Sequence, residues 1–207
     1  MKKIVLTLFT AILALTVIGP QASAAQPFKS DKELKKLRSS GQDYEVFISE
    51  EQAVERVAEL TGKTEEEVRE DNAKELSGDG EVNALAATCG WMETLTTVTV
   101  TDSYKPKLSV IVKACRDGSF GWLQTTTKPF YQGMVADSKK FEGDVRVELQ
   151  SSGFYYLVNG RYYNNGTVTH TGTTGANTVW TATYSVSSSS NFYKSVYTGL
   201  KYRKVTP

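Results

Sequence analysis

The chain contains two cysteines, Cys89 and Cys115, and a single histidine, His170. A thiolate activated by that imidazole would be a nucleophile for covalent catalysis, provided the two groups reach hydrogen-bond distance and the thiol pKa falls. No cysteine signature surrounds either position. The competing expectation is a Cys89–Cys115 disulfide. It closes a loop of about 26 residues, and the chain-entropy model gives it roughly 3.5 kcal/mol of stabilisation.

Acid–base hydrolysis would need two carboxylates held across a cleft. The stretch from residue 82 to the end offers Glu93, Asp102, Asp117, Asp137, Glu142, Asp144 and Glu148. Most of these fall at expected turns or strand ends, and Asp144 and Glu148 alternate with Val145, Val147 and Leu149 as an exposed strand face does. One histidine and two bridged cysteines leave too few usual zinc ligands. The cluster Glu65, Glu66, Glu67, Glu70, Asp71 lacks the spacing of a calcium loop. Gly62-Lys63-Thr64 resembles the end of a P-loop, but Val57 stands where its first glycine belongs. No catalytic residue, metal ligand or cofactor is assigned.

Noncovalent recognition is better supplied. Phe154, Tyr155, Tyr156, Tyr162 and Tyr163 crowd one stretch around Arg161. Side chains alternate between faces of a strand, so part of this set is core and part faces out. Tyr155 and Tyr163 are expected on the outer face, as a stacking platform or as cross-strand pairs that stabilise the sheet. With Arg161 and His170 they form the candidate ligand-binding set.

Two capping boxes, Ser49-Glu50-Glu51-Gln52 and Thr64-Glu65-Glu66-Glu67, open helices over about Glu50 to Leu60 and Glu65 to Leu76. Val54, Val57, Ala58 and Val68 point inward. Gly62 stops the first helix, and Asp31 to Leu37 adds a weaker helical turn. After Gly80 the pattern alternates. A first pair of strands is expected around Val98–Val100 and Leu108–Ala114, joined by a turn at Tyr104-Lys105-Pro106. Later strands are expected over 120–124, 145–150, 154–158, 161–163, 167–171, 179–186, 192–197 and 200–205. Asn159-Gly160 reads as a two-residue hairpin turn and Asn164-Asn165-Gly166 as a second turn. Trp180, Ala182, Tyr184 and Val186 share one buried face. The fold expected is mainly β, an antiparallel sandwich or barrel-like domain preceded by a short acidic two-helix region.

The N-terminus supplies an address. Lys2-Lys3, an apolar run from Ile4 to Ile18, Gly19-Pro20 and Ala22-Ser23-Ala24 form a secretory signal peptide of bacterial style, cleaved between Ala24 and Ala25. The domains expected are 1–24 signal peptide, 25–81 acidic helical region or pro-region, and 82–207 β domain. Residues 25–81 carry 9 Lys/Arg against 16 Asp/Glu, whereas residues 82–207 carry 13 against 7. No carboxylate side chain occurs from Leu149 onward.

These features point to a secreted, extracellular, disulfide-linked protein that binds at or outside the cell envelope through a Tyr/Ser/Thr-rich, mildly basic β domain. Its expected partners are an anionic envelope polymer, a carbohydrate or a membrane surface. Nucleic acid is a poor fit, because the positive charge is spread thinly, and no permanent membrane anchor is read in the mature chain. An alternative is an antibacterial or pore-forming protein with residues 25–81 as an acidic pro-region, since Ser/Thr-rich amphipathic strands suit a barrel lumen. A small secreted hydrolase is the third reading.

Overall fold

The computed structural model describes residues 28–76, 87–125, 131–187 and 191–207. The expected signal peptide with its cleavage site at Ala24–Ala25, and the end of the expected pro-region at residue 81, lie outside them. The chain folds into two packed antiparallel sheets, with helices covering the outer face of the first. These are open sheets, so the sandwich form of the expected fold holds and the closed barrel does not.

Three helices come early: α1 (Asp31–Ser39), α2 (Glu50–Thr61) and α3 (Glu65–Leu76). The capping signals act as expected. Ser49 Oγ accepts from the Gln52 amide while Gln52 Oε1 accepts from the Ser49 amide, and Thr64 and Glu67 repeat the arrangement. Gly62 ends α2 in the left-handed region at φ 74°, its amide bonded to Ala58 O. The weak turn at Asp31 is a nine-residue helix, started by Ser30 with Glu33 reaching back to the Ser30 amide.

Between α1 and α2 lies a strand that the sequence pattern does not announce, β1 (Tyr44–Ile48), which pairs with β2 (Thr88–Thr97). The acidic region therefore contributes an edge strand to the first sheet. β2 pairs with β3 (Lys107–Asp117), which also carries β4 (Phe120–Leu123) and β5 (Tyr131–Val135) along its other edge. β5 is likewise outside the expected strands. The expected first strand at Val98–Val100 is loop, closed by Val98 N on Pro106 O, and the strand that pairs with β3 is β2, which lies upstream and ends at Thr97.

β3 is buried along nearly its whole length. Leu108, Val110, Val112 and Ala114 face the sandwich core, whereas Ile111 joins Trp91, Ile48, Leu34, Val54, Val57 and Val68 in a second core beneath the helices. A strand covered on both faces loses the alternation a half-buried strand would show.

The second sheet runs β10 (Phe192–Tyr197), β7 (Gly153–Tyr163), β6 (Lys140–Gln150), β9 (Val179–Ser187), β8 (Thr167–Ala176), with β11 (Lys201–Lys204) also on β7. Its inner face contributes Phe141, Val145, Val147, Leu149, Phe154, Val158, Tyr162, Ala182 and Tyr184 to the core. The expected Asn159-Gly160 hairpin does not exist, because both residues lie inside β7, paired with Asp144 and Gly143 of β6. Gly160 serves close approach instead. A Cβ there would stand 2.2 Å from Glu142 O and 2.7 Å from the Phe141 ring. The two-residue hairpin loops are Gly118-Ser119, Ser151-Ser152 and Asn177-Thr178. Asn164-Asn165-Gly166 does interrupt the chain, but it leads from β7 to the non-adjacent β8.

Candidate functional site

Cys89 and Cys115 face each other across β2 and β3 and are joined at 2.06 Å, with Gln124 Nε2 donating to Cys115 Sγ at 3.1 Å. A bridged sulfur is not a nucleophile, and His170 belongs to the other sheet. Such a bond suits an extracellular protein. Among the described residues no helix is long and apolar enough to cross a membrane.

The outer face of the second sheet gathers three of the four candidate residues. Tyr155, Arg161 and Tyr163 alternate along β7, pointing away from the core that Phe154, Tyr156 and Tyr162 enter. The Tyr155 ring lies 4.9 Å from that of Tyr202, its β11 partner. Tyr163 donates its hydroxyl to Glu142 Oε2 at 2.7 Å and meets Phe192 edge-on. Arg161 stands between Glu142 on β6 and Ser195 on β10. His170 is elsewhere. It pairs with Tyr184, whose side chain faces inward, and lies against that ring at 5.3 Å, with Nε2 3.0 Å from Thr173 Oγ1. Burial, and then the Lys63 charge, lower its pKa.

Glu142, Asp144, Asn159, Arg161, Ser195 and Tyr197 line a shallow groove of about 500 Å³ whose floor is the Gly143–Gly160 backbone. Thr183 donates to Asp144 Oδ1 at 2.7 Å, so Asp144 and Glu142 are each fixed by a neighbouring hydroxyl. The strands around the groove expose aromatic rings: Tyr197, which lines it, at 71 %, Phe192 at 57 %, Tyr202 at 45 % and Tyr155 at 37 %. The arrangement offers carboxylate and amide acceptors, a guanidinium donor and flat apolar rings. Of these groups, Tyr197, Phe192, Tyr202, Asn159 and Glu142 are not among the ligand contacts expected from sequence. Alternation along β7 from Tyr155 reaches Asn159, but placing Glu142 and Tyr197 beside it requires the register of β6 and β10.

A deeper cavity of about 880 Å³ opens between α1, α2 and the first sheet. Beneath it lies Glu93, expected near a strand end but found inside β2 with no exposed surface. Arg38 Nη2 and Nε donate to its Oε2 at 2.9 and 3.2 Å, Arg56 Nε to Oε1 at 2.9 Å, and Ser109 Oγ to Oε1 at 3.3 Å. Tyr44 packs beside this cluster, and its phenol pKa is raised by burial and then by the Glu93 charge. The carboxylate is consumed by these bonds, and its effect is to tie both helices to the sheet.

No family model, curated protein or solved structure matches the chain.

Proposed function

We propose that this is a non-enzymatic binding protein, acting at or outside the cell envelope, which takes an uncharged stretch of carbohydrate on the outer face of the second sheet. The observation that carries the reading is the set of four exposed aromatic rings around the groove of Glu142, Asp144, Asn159 and Arg161. A face meant only for water has no use for four exposed rings around a polar groove, and exposed apolar surface of this kind is the usual mark of an interaction site. Tyrosine rings stack on the apolar face of a sugar, while planar acceptors and a guanidinium bond its hydroxyls.

Salt dependence distinguishes carbohydrate from a polyanion. The face carries Glu142, Asp144 and Glu148 against Arg146 and Arg161, and the exposed lysines Lys194, Lys201 and Lys204 sit on the flanking strands. Stacking and neutral hydrogen bonds are insensitive to salt, whereas binding to an anionic polymer is screened.

The test is retention of the protein on insoluble glucan, chitin and isolated bacterial envelopes, at low salt and at about 1 M salt. The expected result is retention on at least one matrix at both salts, lost in Tyr197→Ala and Arg161→Ala variants with unchanged circular dichroism. Elution by salt alone, or retention equal in both variants, overturns the reading.

A further inference from the structure

The β8 strand ends the second sheet, paired to β9 on one side and to no other described strand on its other side. It is ten residues long and exposed over most of them. Between Tyr162 and Tyr193 the sequence has no Asp, Glu, Lys, Arg or Pro, so the whole β8–β9 hairpin is uncharged. The molecule's other edges are blunted. β10 carries Lys194 and a register shift, β11 is four residues with Lys201, Arg203 and Lys204, β4 is four residues, β5 is five, and β1 carries Glu45 against Arg203 at 3.6 Å. Charge, shortness and irregularity are the usual ways a sheet edge is kept from pairing with another chain. Among the described residues β8 is the long edge with no charge. Its single irregularity is the bulge at Thr171, closed by Thr171 Oγ1 on Thr183 O at 3.0 Å, after which Gly172–Ala176 runs straight beside β9.

We propose that β8 is a self-association edge, pairing antiparallel with β8 of a second copy to make one continuous sheet across two molecules. The occupant is a second copy because antiparallel pairing of one strand with itself is isologous: the same donors and acceptors meet their own counterparts about a twofold axis. An uncharged strand brings no like charges together in that arrangement. Cross-strand threonine pairs are favourable, and Thr169, Thr173 and Thr174 supply them.

The pairing bears on ligand binding in a way that rests on the carbohydrate reading. The twofold axis of two antiparallel strands is normal to the sheet at the seam, so both aromatic faces belong to the same side of the joined sheet, turned relative to each other by its twist. From β7 to its counterpart is seven strand spacings, which puts the two grooves about 34 Å apart. A polymer spanning that distance is held at both grooves, whereas a short oligosaccharide is not, and the gain is one of effective concentration.

The experiment is sedimentation of the full chain between about 5 µM and about 500 µM, the range in which a short strand pair associates. Amide exchange of β8 is followed at both ends of that range. Wild type is expected to approach the dimer mass with β8 amides slowed, while Thr169→Lys and Thr174→Lys together hold the monomer mass and leave β8 exchange independent of concentration. Monomer mass throughout, unchanged β8 exchange in wild type, or an equal dimer in the double-lysine chain overturns the proposal. The wild-type readouts stand even if the variant does not fold. Dimerisation without any glycan retention leaves the pairing intact and removes the carbohydrate reading alone.

Discussion

Replacing Glu93 by alanine tests how the helices are held on the first sheet. Its carboxylate is buried and accepts from Arg38, Arg56 and Ser109. The two cations respond differently to its loss. The Arg38 side chain keeps 23 % of its surface in water and can turn outward, whereas that of Arg56 keeps 4 % and stays in place, its remaining partner the exposed Glu59 at 2.5 Å. Removing one partner of a buried pair costs about 3–5 kcal/mol, because it strands the other charge. Glu93→Ala is therefore expected at about 3–5 kcal/mol, and Glu93→Gln, which still accepts from Arg56, at about 2 kcal/mol. Urea unfolding followed by tryptophan emission is the assay, since Trp91 lies two residues away in the same strand. The control is the triple variant Glu93→Leu, Arg38→Met, Arg56→Met, which removes all three charges and leaves apolar volume. Its stability is expected near or above that of wild type. A loss below about 1 kcal/mol in Glu93→Ala would show that no charge is stranded. A triple variant as weak as the alanine variant would refute the electrostatic argument in favour of lost packing.

Gly160→Ala forces a Cβ to 2.2 Å from Glu142 O, where only backbone movement can relieve it. The expected cost is at or above the roughly 1–3 kcal/mol usual for overpacking, read by thermal unfolding. Wild-type stability in that variant would mean that β6 and β7 are not tightly opposed there. His170 predicts a pH dependence. Its pKa is lowered in the fold, so the folded state favours the neutral ring. Stability is full above the ordinary histidine range near 6.5 and falls as pH drops from there through the folded pKa. Unfolding midpoints measured between about pH 8 and pH 5 should show this decline, and His170→Asn should flatten it. A decline of equal size in the variant would assign it to the carboxylates instead.

The helices are legible in the sequence because their signals are local: a capping box fixes a start within four residues, and Gly62 fixes a stop through its own backbone. Most long strands are legible for the same reason. Failures arise where the deciding partner is distant in the chain. Asn159-Gly160 carries a strong turn signal, yet β7 lies between β6 on one edge and β10 and β11 on the other, and pairing along eleven residues with β6 outweighs the preference of two. β1 is five residues, too short for a periodicity to emerge, and it exists because β2 offers an edge. Glu93 resembles a surface carboxylate in sequence because nothing near it announces Arg38 and Arg56. The same limit divides the candidate site. Tyr155, Arg161 and Tyr163 share a face because β7 runs unbroken through Asn159-Gly160, where the expected hairpin would have set Tyr155 opposite the other two, whereas His170 lies apart because strand order, which alternation does not encode, sets its neighbours.

The two sheets differ in a way that bears on function. The outer face of the first is apolar at Trp91 and Ile111 and would be unstable in water, so α1, α2 and α3 cover it and Glu93 fastens two of them. The second has no described helix over its outer face, and its threonines, arginines and carboxylates need none. Four large aromatic rings on that uncovered face then stand out, because the sheet would be as soluble and as well paired with threonine in their places. Burial cannot explain them, and cross-strand pairing accounts for Tyr155–Tyr202 and Tyr163–Phe192 but leaves Tyr197, the most exposed of the four. Tyr197 lines the groove beside Asn159 and Arg161. A rigid ring with only two side-chain torsions to order suits contact with a ligand that arrives from solution. Tyr197→Ala is therefore expected to leave stability within about 0.5 kcal/mol of wild type while abolishing glycan retention. A loss of stability with retention intact would return this ring to the fold and remove the reason for placing the site here.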